Sequence, residues 1–327
     1  MTLLEVKDLK QHFQIKKGFL GGNKTVKAVD GVSFKINLGE TLGIVGESGC
    51  GKSTLGRSVL RLVEPTSGRV LFNGRDMNSL SRAQLKEMRK EMQIVFQDPY
   101  ASLNPRNTIQ TILEAPMIIH GMKNKHERMK VIEKIIDKIG IRKEQLDRYP
   151  HEFSGGQRQR IGIARALTLN PKLIVADEPV SALDVSVQSQ VLNLMDDLQK
   201  EFNLSYMFIS HDLSVVQHIA DRVAVMYLGK IVEVADVDEL YKNPQHPYTK
   251  ALLSAVPLPD PTKKRERIIL QGDLPSPINP PSGCTFHTRC PMATEACKKD
   301  IPELREKSFE HWTACIHVEP VQVYKIN

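Results

Sequence analysis

Residues 46–54 read GESGCGKST and match the pattern G-x-x-x-x-G-K-[ST] of a phosphate-binding loop. Glycines in such a loop let the backbone N–H groups turn inward onto phosphate oxygens, and a following helix adds the positive end of its dipole. Lys52 is expected to reach the β- and γ-phosphates, and Ser53 is expected to ligate Mg²⁺. The loop residues predicted to surround the phosphates are Gly46, Glu47, Ser48, Gly49, Cys50, Gly51, Lys52, Ser53 and Thr54.

The flanking segments give this loop the context that it requires. The apolar segment TLGIV (41–45) precedes it, and the helical pattern STLGRSVLRLV follows it. A glycine-rich turn with a chance lysine is the alternative interpretation. It leaves the strand and the helix on either side unexplained, so we favour a phosphate site.

Two adjacent carboxylates follow another apolar segment, in LIVADEP. Asp177 at the end of a strand can hold the hydration shell of a metal ion, and Glu178 can polarise an attacking water as a general base. Adjacent acids at a strand end can instead serve only as a helix cap. The phosphate loop in the same chain favours the catalytic interpretation.

The string FSGGQRQR (153–160) stands between these two motifs. It resembles the signature of ABC ATPases, usually LSGGQ, with Phe153 in place of the usual leucine. A lone SGG triplet is common, but its placement after a phosphate loop and shortly before an acidic pair is specific to this family. The resemblance implies that nucleotide is also bound by Ser154, Gly155, Gly156 and Gln157.

Further motifs of the ABC ATPases lie at matching positions. The resemblance implies that Gln97 in IVFQDP contacts Mg²⁺ or water and that His211 in ISHD contacts the γ-phosphate. Phe13 matches the aromatic residue that stacks on adenine, and SALD (181–184) matches the D-loop, which adds Asp184 to the site. Taken singly, each of these residues has an ordinary structural interpretation. Gln97 could be a surface residue, His211 a cap at a strand end, Phe13 a core aromatic and Asp184 a loop acid.

The family's mechanism needs two chains. In ABC cassettes two subunits pack head to tail, and the signature loop of one closes on the γ-phosphate held by the other, so that ATP joins the dimer and hydrolysis lets it open. The resemblance assigns Glu178, His211 and Gln97 to catalysis. It assigns Ser53, Gln97 and Asp177 to Mg²⁺.

The elements that must position these residues follow an α/β pattern. Apolar segments at 41–45, 173–176, 206–210 and 223–229 alternate with helical patterns, which predicts buried parallel strands. A helix between Ser186 and Phe202 is expected to cover one side of the sheet. Its predicted apolar face consists of Val187, Val191, Leu194 and Leu198.

We expect an ABC nucleotide-binding domain over residues 1–255, with a helical subdomain at about 98–165, and a Cys-rich extension over residues 256–327. The pattern HERMKVIEKIIDKIGI supports the helical insert, and the proline density from Pro257 onward marks the boundary. By resemblance the fold is an α/β, ABC-type P-loop NTPase. The resemblance implies a RecA-like core with an N-terminal antiparallel β part.

Composition limits the class of protein. The chain has 327 residues, 41% of them hydrophobic, and a formal charge of +7, which favours anionic partners or reflects a solvated basic surface. No segment reaches the ~18 consecutive apolar residues of a membrane span, and the N-terminus lacks the apolar centre of a signal peptide. Together with the resemblance, this predicts a peripheral protein at the cytoplasmic face of the cell membrane.

Four of the five cysteines lie near the C-terminus, with the spacing C-x₅-C-x₆-C-x₁₇-C. This spacing fits neither usual zinc pattern, and the lack of a secretion signal disfavours a disulfide framework. Four thiolates match the ligand set of a [4Fe–4S] cluster. The segment is also similar to the C-terminal extension of oligopeptide and dipeptide importer ATPases, where such cysteines hold this cluster. The predicted ligands are Cys284, Cys290, Cys297 and Cys315.

Alternatives remain for these thiols. Zn²⁺ could be held instead, with His287, His311 or His317 competing as ligands, or the cysteines could be reduced thiols or disulfides. The fifth cysteine, Cys50, is interpreted as structural, although Lys52 and the helix N-terminus could lower its pKa.

Longer strings also look like the oligopeptide/dipeptide importer ATPases, among them DEPVSALDVSVQSQVLNL and NPQHPYTKALLSAVP. The basic insert KKGFLGGNK favours the F-type partner of a D/F pair of ATPases. The resemblance implies ATP and Mg²⁺ as cofactors and three kinds of partner. These are two transmembrane permeases, a second related ATPase or a second copy, and an extracellular or periplasmic peptide-binding protein. No nucleic acid partner is expected.

The sequence leaves three alternative functions to consider. Nickel importers share much of the pattern, so the cargo is less certain than the family. A soluble ABC ATPase acting on nucleic acid would carry long coiled-coil or zinc insertions, or two cassettes, and the helical insert here is short. A non-catalytic regulatory cassette is disfavoured by the presence of Glu178 and His211.

Overall fold

The computed structural model of the chain describes residues 1–17, 21–256 and 267–319. The middle of the insert KKGFLGGNK and most of the proline-rich string PLPDPTKKRER lie outside these residues. The chain divides into two units. The first unit contains Met1–Leu3, Ile36–Thr41 and Arg75–Ile209, and the second contains Leu4–Lys35, Leu42–Gly74 and the described residues from Ser210 onward.

The strands are β1 (Thr2–Lys17), β2 (Gly21–Asn37), β3 (Thr41–Val45), β4 (Ser67–Phe72), β5 (Arg75–Asp76), β6 (Met92–Val95), β7 (Leu173–Asp177), β8 (Ser205–Ser210), β9 (Arg222–Tyr227), β10 (Lys230–Asp236), β11 (Arg305–Ser308) and β12 (His311–Thr313). The helices are α1 (Lys52–Val59), α2 (Arg82–Glu91), α3 (Pro99–Ser102), α4 (Ile109–Ile119), α5 (Lys125–Ile139), α6 (Gly155–Leu167), α7 (Val185–Phe202), α8 (Leu213–Ile219), α9 (Val237–Lys242), α10 (Pro247–Ser254) and α11 (Glu295–Lys299). None of these helices, in the part of the chain that is described, combines the length and hydrophobicity that crossing a membrane requires.

Parallel strands form the centre of the first unit. β6 pairs with β7, and β7 pairs with β8, with Met92 opposite Leu173 and Leu173 opposite Ser205. Every residue of β7 and β8 is buried. The expectation of buried parallel strands at 173–176 and 206–210 is therefore confirmed, because runs without polar alternation are buried on both faces.

Helix α7 confirms the helix expected between Ser186 and Phe202, but its buried face differs from the predicted one. Val187 and Leu194 are half-buried. Val187 instead lies over Gly156, where a Cβ on the glycine would come within 2.3 Å of a Val187 methyl group. The fully buried side chains of this helix are Val191, Leu192, Met195 and Leu198.

The helices between β6 and β7 carry an ion pair. Arg128 on α5 donates to Glu114 on α4 at 3.0 Å, and both side chains are about nine-tenths buried. Arg128 also donates to the carbonyls of Met122 and Lys123. The guanidinium therefore joins α4, α5 and the turn between them. Removing either partner of the ion pair would leave an uncompensated buried charge.

The second unit contains a mixed sheet. β3 and β9 are parallel, and β10 runs antiparallel to β9 on its other side. In a separate antiparallel pair, β1 lies beside β4, with Leu4 opposite Phe72 and a bulge between Lys7 and Lys10. The strands expected at 41–45 and 223–229 are confirmed, although β9 ends at Tyr227 and a turn follows.

Residues 267–319, the C-terminal segment, extend this sheet. β12 pairs antiparallel with β10, and β11 pairs with β12. The Nε2 atom of His311 lies 2.7 Å from Glu233 Oε1, and both side chains are completely buried. The two oxygens of Glu233 also accept the backbone N–H groups of Gln245 and His246, so this carboxylate is satisfied from three directions.

Candidate functional site

The phosphate loop connects β3 to α1 in the second unit. Two of its glycines are required by backbone geometry: Gly46 has φ 151° and Gly51 has φ 108°. A Cβ on Gly46 would stand 2.1 Å from the carbonyl oxygen of Met226, and one on Gly51 would stand 2.0 Å from that of Ala28. The loop shape expected from the sequence therefore depends on glycine at these positions.

Lys52 is the first residue of α1, and its side chain is buried. Its ammonium group donates to the carbonyl oxygens of Gly46 at 2.7 Å and Glu47 at 3.0 Å. The cation thus lies inside the curve of the loop, which gives an anion a charge partner next to the start of a helix. Ser53 and Thr54, the next two residues of α1, are partly exposed.

Cys50 and its neighbours complete the loop. The Cys50 thiol is buried, and burial raises its pKa, although the nearby Lys52 opposes the shift. A thiol of this kind is a packing group and not a reactive thiolate, which agrees with the structural interpretation of Cys50. Ser48 and Gly49 lie at the exposed tip of the loop.

Sequence reasoning missed two residues that contact this loop, Tyr248 and Arg289. The hydroxyl of Tyr248 accepts the backbone N–H of Glu47 at 2.9 Å. Arg289 donates to both carboxylate oxygens of Glu47, at 2.7 and 3.1 Å, and its guanidinium lies 6.0 Å from the ring centre of Tyr227. The string HPYTKALLSAVP and the arginine among the cysteines were visible, but neither pattern indicates a contact with residue 47.

The acidic pair lies in the first unit, at the end of β7. The Asp177 side chain is buried, and Glu178 has a left-handed backbone with φ 49°. The N–H of Glu178 donates to the carbonyl of Ile209 at 2.9 Å. The Nε2 atom of Gln97 donates to Glu178 Oε2 at 2.8 Å, so two residues predicted from separate motifs are in direct contact.

Strand register explains this contact. Val95 on β6 lies opposite Ala176 on β7 in parallel pairing. Gln97 and Glu178 are each two residues further along their chains, and the carboxyl ends of parallel strands meet at one edge of a sheet. This edge is where α/β folds bind ligands.

The signature string begins helix α6 in the same unit. Ser154 is the N-cap: its hydroxyl accepts the N–H of Gln157, and the Gln157 side chain accepts the N–H of Ser154. Phe153 is buried in front of this capping box, which explains how an aromatic residue replaces the usual leucine there. Gly156 is buried against Val187, and Gly155 is partly exposed.

The remaining predicted residues lie in both units. Asp184 is exposed and precedes α7 in the first unit. Phe13 on β1, with 39% of its surface exposed, and His211, which follows β8 and is exposed, belong to the second. The first unit therefore holds Gln97, the signature, the acidic pair and Asp184, and the second holds Phe13, the phosphate loop and His211.

The prediction of a [4Fe–4S] cluster at Cys284, Cys290, Cys297 and Cys315 is wrong. All four are free cysteines, and among the described residues no group of three or more His, Cys, Asp and Glu side chains is arranged to hold a metal ion. The same finding gives no support to Zn²⁺. Burial raises the pKa of the Cys284, Cys290 and Cys315 thiols.

The C-terminal segment packs against aromatic residues of the second unit. Phe286 is buried, with its ring centre 5.2 Å from that of Tyr227 and 5.3 Å from that of Tyr248. The sulfur of Cys297 lies 3.2 Å from Nε2 of His317. Strand pairing by β12 and these aromatic contacts stabilise the segment.

Comparison with known proteins matches two parts of the chain to family models. The family described as ABC transporter matches residues 29–181, and the one described as oligopeptide/dipeptide transporter, C-terminal region, matches residues 232–297. The oligopeptide transport ATP-binding protein AppF of Bacillus subtilis is 60% identical over 96% of this chain and 97% of its own. The dipeptide transport ATP-binding protein DppF of Haemophilus influenzae is 55% identical over 97% of each.

Solved structures of ABC cassettes resemble about three quarters of the chain. The dimeric structure of MJ0796, a bacterial ABC transporter cassette, has a TM-score of 0.64 and 28% identity, over 72% of this chain and 99% of that one. A post-hydrolysis dimer of MJ0796 bound to ADP and phosphate has a TM-score of 0.63. The fold is therefore that of an ABC-type P-loop ATPase. The chain belongs to the ABC transporter ATP-binding proteins of the oligopeptide/dipeptide transporter family.

Proposed function

We propose that this chain is the ATP-hydrolysing subunit of an ABC importer for oligopeptides or dipeptides. Relatives with 55–60% identity over nearly the whole chain are named for oligopeptide and dipeptide transport, which favours peptides over nickel as cargo. The observation that carries the catalytic part is the Glu178 carboxylate, which ends a buried strand and is held by Gln97.

ATP is the nucleotide that the phosphate loop suits. Lys52 is charged and surrounded by loop carbonyls, so that a phosphate oxygen offers it a stronger partner than they do. Ser53, Gln97 and Asp177 would hold Mg²⁺, and their hydroxyl, amide and carboxylate oxygens are the hard donors that this ion prefers. Bound Mg²⁺ neutralises charge on the phosphate oxygens.

Glu178 is the proposed general base. Gln97 donates to Oε2 of Glu178, and in this proposal the carboxylate accepts a proton from the attacking water. Gln97 thereby orients the carboxylate, and its position in front of α3 suits it to report the state of the site to a partner. His211, exposed at the end of β8, contacts the γ-phosphate in this proposal.

The assembly we propose is a head-to-tail dimer with a related ATPase or a second copy. Residues 1–255 form the nucleotide-binding domain, with a helical subdomain at about 98–165, and the remaining residues form a C-terminal extension. Ser154, Gly155, Gly156 and Gln157 would close on the partner's ATP, with Asp184 beside them, and Phe13 would stack on adenine through its exposed ring face. Two permeases and a peptide-binding protein would complete the importer, with this subunit at the cytoplasmic face.

The change Glu178→Gln tests the catalytic assignment. We expect ATP binding within about twofold of the parent and a fall in hydrolysis of roughly 10²–10⁴-fold, because general-base catalysis is worth that much. Size-exclusion chromatography with ATP should show a dimer that persists. The matched control is Glu144→Gln at an exposed position, which should hydrolyse ATP as the parent does. Unchanged hydrolysis in Glu178→Gln would contradict the assignment.

The cargo is tested with the complete importer in vesicles. The ATPase is combined with its permeases and binding protein, and hydrolysis is measured with added di- and oligopeptides or with Ni²⁺. We expect stimulation by peptides alone. Stimulation by Ni²⁺ without peptide would assign the chain to a nickel importer.

A further inference from the structure

Glu47 is the only acidic residue in GESGCGKST. It places a carboxylate in the loop that receives the most highly charged part of the nucleotide. Like charges repel each other, and the repulsion is stronger in a site that is partly shielded from water than in bulk water. The loop therefore needs a means of neutralising this side chain.

Arg289 supplies the neutralising charge from the C-terminal segment. Its two terminal nitrogens contact the two oxygens of Glu47 at 2.7 and 3.1 Å, a bidentate arrangement. The Arg289 side chain is only 8% exposed and that of Glu47 is 28% exposed. This pair is therefore well shielded, unlike the surface ion pairs of the same segment, such as Arg305 with Glu303.

The backbone of Glu47 is held as well. Its N–H donates to the Tyr248 hydroxyl, and its carbonyl oxygen accepts the ammonium of Lys52. Phe286, three residues before Arg289, packs on Tyr227 and Tyr248. The guanidinium and its support thus form one packed group with the first half of the loop.

We propose that Arg289 is a positioning residue for nucleotide binding: it neutralises Glu47 and fixes the phosphate loop, so that the C-terminal segment sets the affinity for ATP. This inference rests on the proposed ATPase function. Arg289 acts through Glu47 and is not assigned a contact with the nucleotide. Removing the guanidinium leaves a carboxylate without its counter-charge beside the triphosphate, and this weakens ATP binding without removing any catalytic group.

The test measures binding of Mg·ATP to the full chain by calorimetry, together with KM and kcat for hydrolysis. Arg289→Ala is expected to weaken ATP binding about tenfold, in proportion to the loss of a shielded charge pair. KM should rise by a similar factor, with kcat within about twofold. Arg289→Lys should weaken ATP binding less than Arg289→Ala does, because the lysine ammonium keeps the positive charge although it loses the bidentate contact. The matched control is Arg305→Ala, which should bind ATP as the parent does.

The double variant Arg289→Ala with Glu47→Gln separates charge from folding. If repulsion is the cause, the neutral glutamine restores most of the ATP affinity lost in Arg289→Ala. The loss in the single variant should also shrink at high salt. Parent-like ATP binding in Arg289→Ala, or a double variant as weak as the single one, would overturn the inference while the parent still binds ATP. A parent that does not bind ATP would overturn the proposed function itself.

Discussion

At the scale of single residues, Glu178 combines an unusual backbone with the proposed chemistry. Its φ of 49° is left-handed, which costs a residue with a Cβ about 1–2 kcal/mol. Two backbone hydrogen bonds hold Glu178 in this conformation. Its N–H donates to the carbonyl of Ile209, and its carbonyl accepts the N–H of Ser181. In this conformation the Glu178 side chain reaches Gln97, so the strained backbone helps to place the carboxylate.

His246 makes the stability of the second unit depend on pH. It is fully buried, and burial lowers its pKa from 6.5 to about 4. Between these values the unfolded chain binds a proton that the folded chain does not, so stability is complete above pH 6.5 and falls toward pH 4. The free energy of unfolding should drop by roughly 1 kcal/mol per pH unit in this window because of this group.

The measurement is urea unfolding at several pH values for the parent and for His246→Asn. Asparagine keeps an acceptor for the N–H of Tyr248 at this N-cap but does not titrate. We expect a flatter pH dependence in His246→Asn, and an unchanged one in the control His126→Asn at an exposed position. An equal slope in the parent and His246→Asn would show that other groups cause the acid sensitivity.

At the scale of elements, the contact of α6 with α7 depends on Gly156. Gly156→Ala is expected to lower the free energy of unfolding by about 1–3 kcal/mol, because the new methyl group overlaps Val187. Thermal unfolding should show a lower Tm, and adding Val187→Ala should restore most of it. Gly162→Ala on the same helix is the control, because a Cβ there meets nothing within 4 Å; a similar loss in this control would point to the helix backbone instead.

Individual elements were predictable where one pattern dominates. The strands at 41–45 and 173–176 and helix α7 follow from apolar runs and helical spacing. The buried face of α7 was only half correct, because Val187 packs on Gly156, a contact that spacing along one helix does not encode. Short β11 and β12 were not predicted, since REKS and HWT are short and carry no apolar run. The burial of His311 and Thr313 in β12 comes with the pairing of β12 to β10, which is remote in sequence.

At the scale of the whole molecule, motifs pointed to the candidate site residues of both units, but the contacts that these residues make were only partly predictable. The Gln97 and Glu178 contact follows once β6 and β7 are known to be neighbours. The Arg289 and Glu47 contact joins residues 242 positions apart, and no local pattern indicates it. The cysteines illustrate the opposite error, because a resemblance in spacing suggested a metal that the arrangement of side chains does not support.

The attachment of the C-terminal segment can be tested through the buried contact of His311 with Glu233. His311→Ala removes one of the three hydrogen-bond partners of Glu233, and we expect a loss of about 1–3 kcal/mol in the free energy of unfolding, because a buried carboxylate oxygen loses a partner. Lys298→Ala, which breaks an exposed pair with Glu295, should cost less than about 1 kcal/mol. Chemical denaturation of both variants makes the comparison, and equal losses would refute the importance of the buried pair.

The pairing of β10 with β12 also has a consequence for synthesis on the ribosome. Glu233 and His311 are 78 residues apart, and at about 5–20 residues per second the histidine is added roughly 4–16 s after the glutamate. During that interval the outer edge of β10 lacks its strand, and an open edge is where other chains can add. A nascent chain of this protein is therefore exposed to pairing with its neighbours until β12 has been translated.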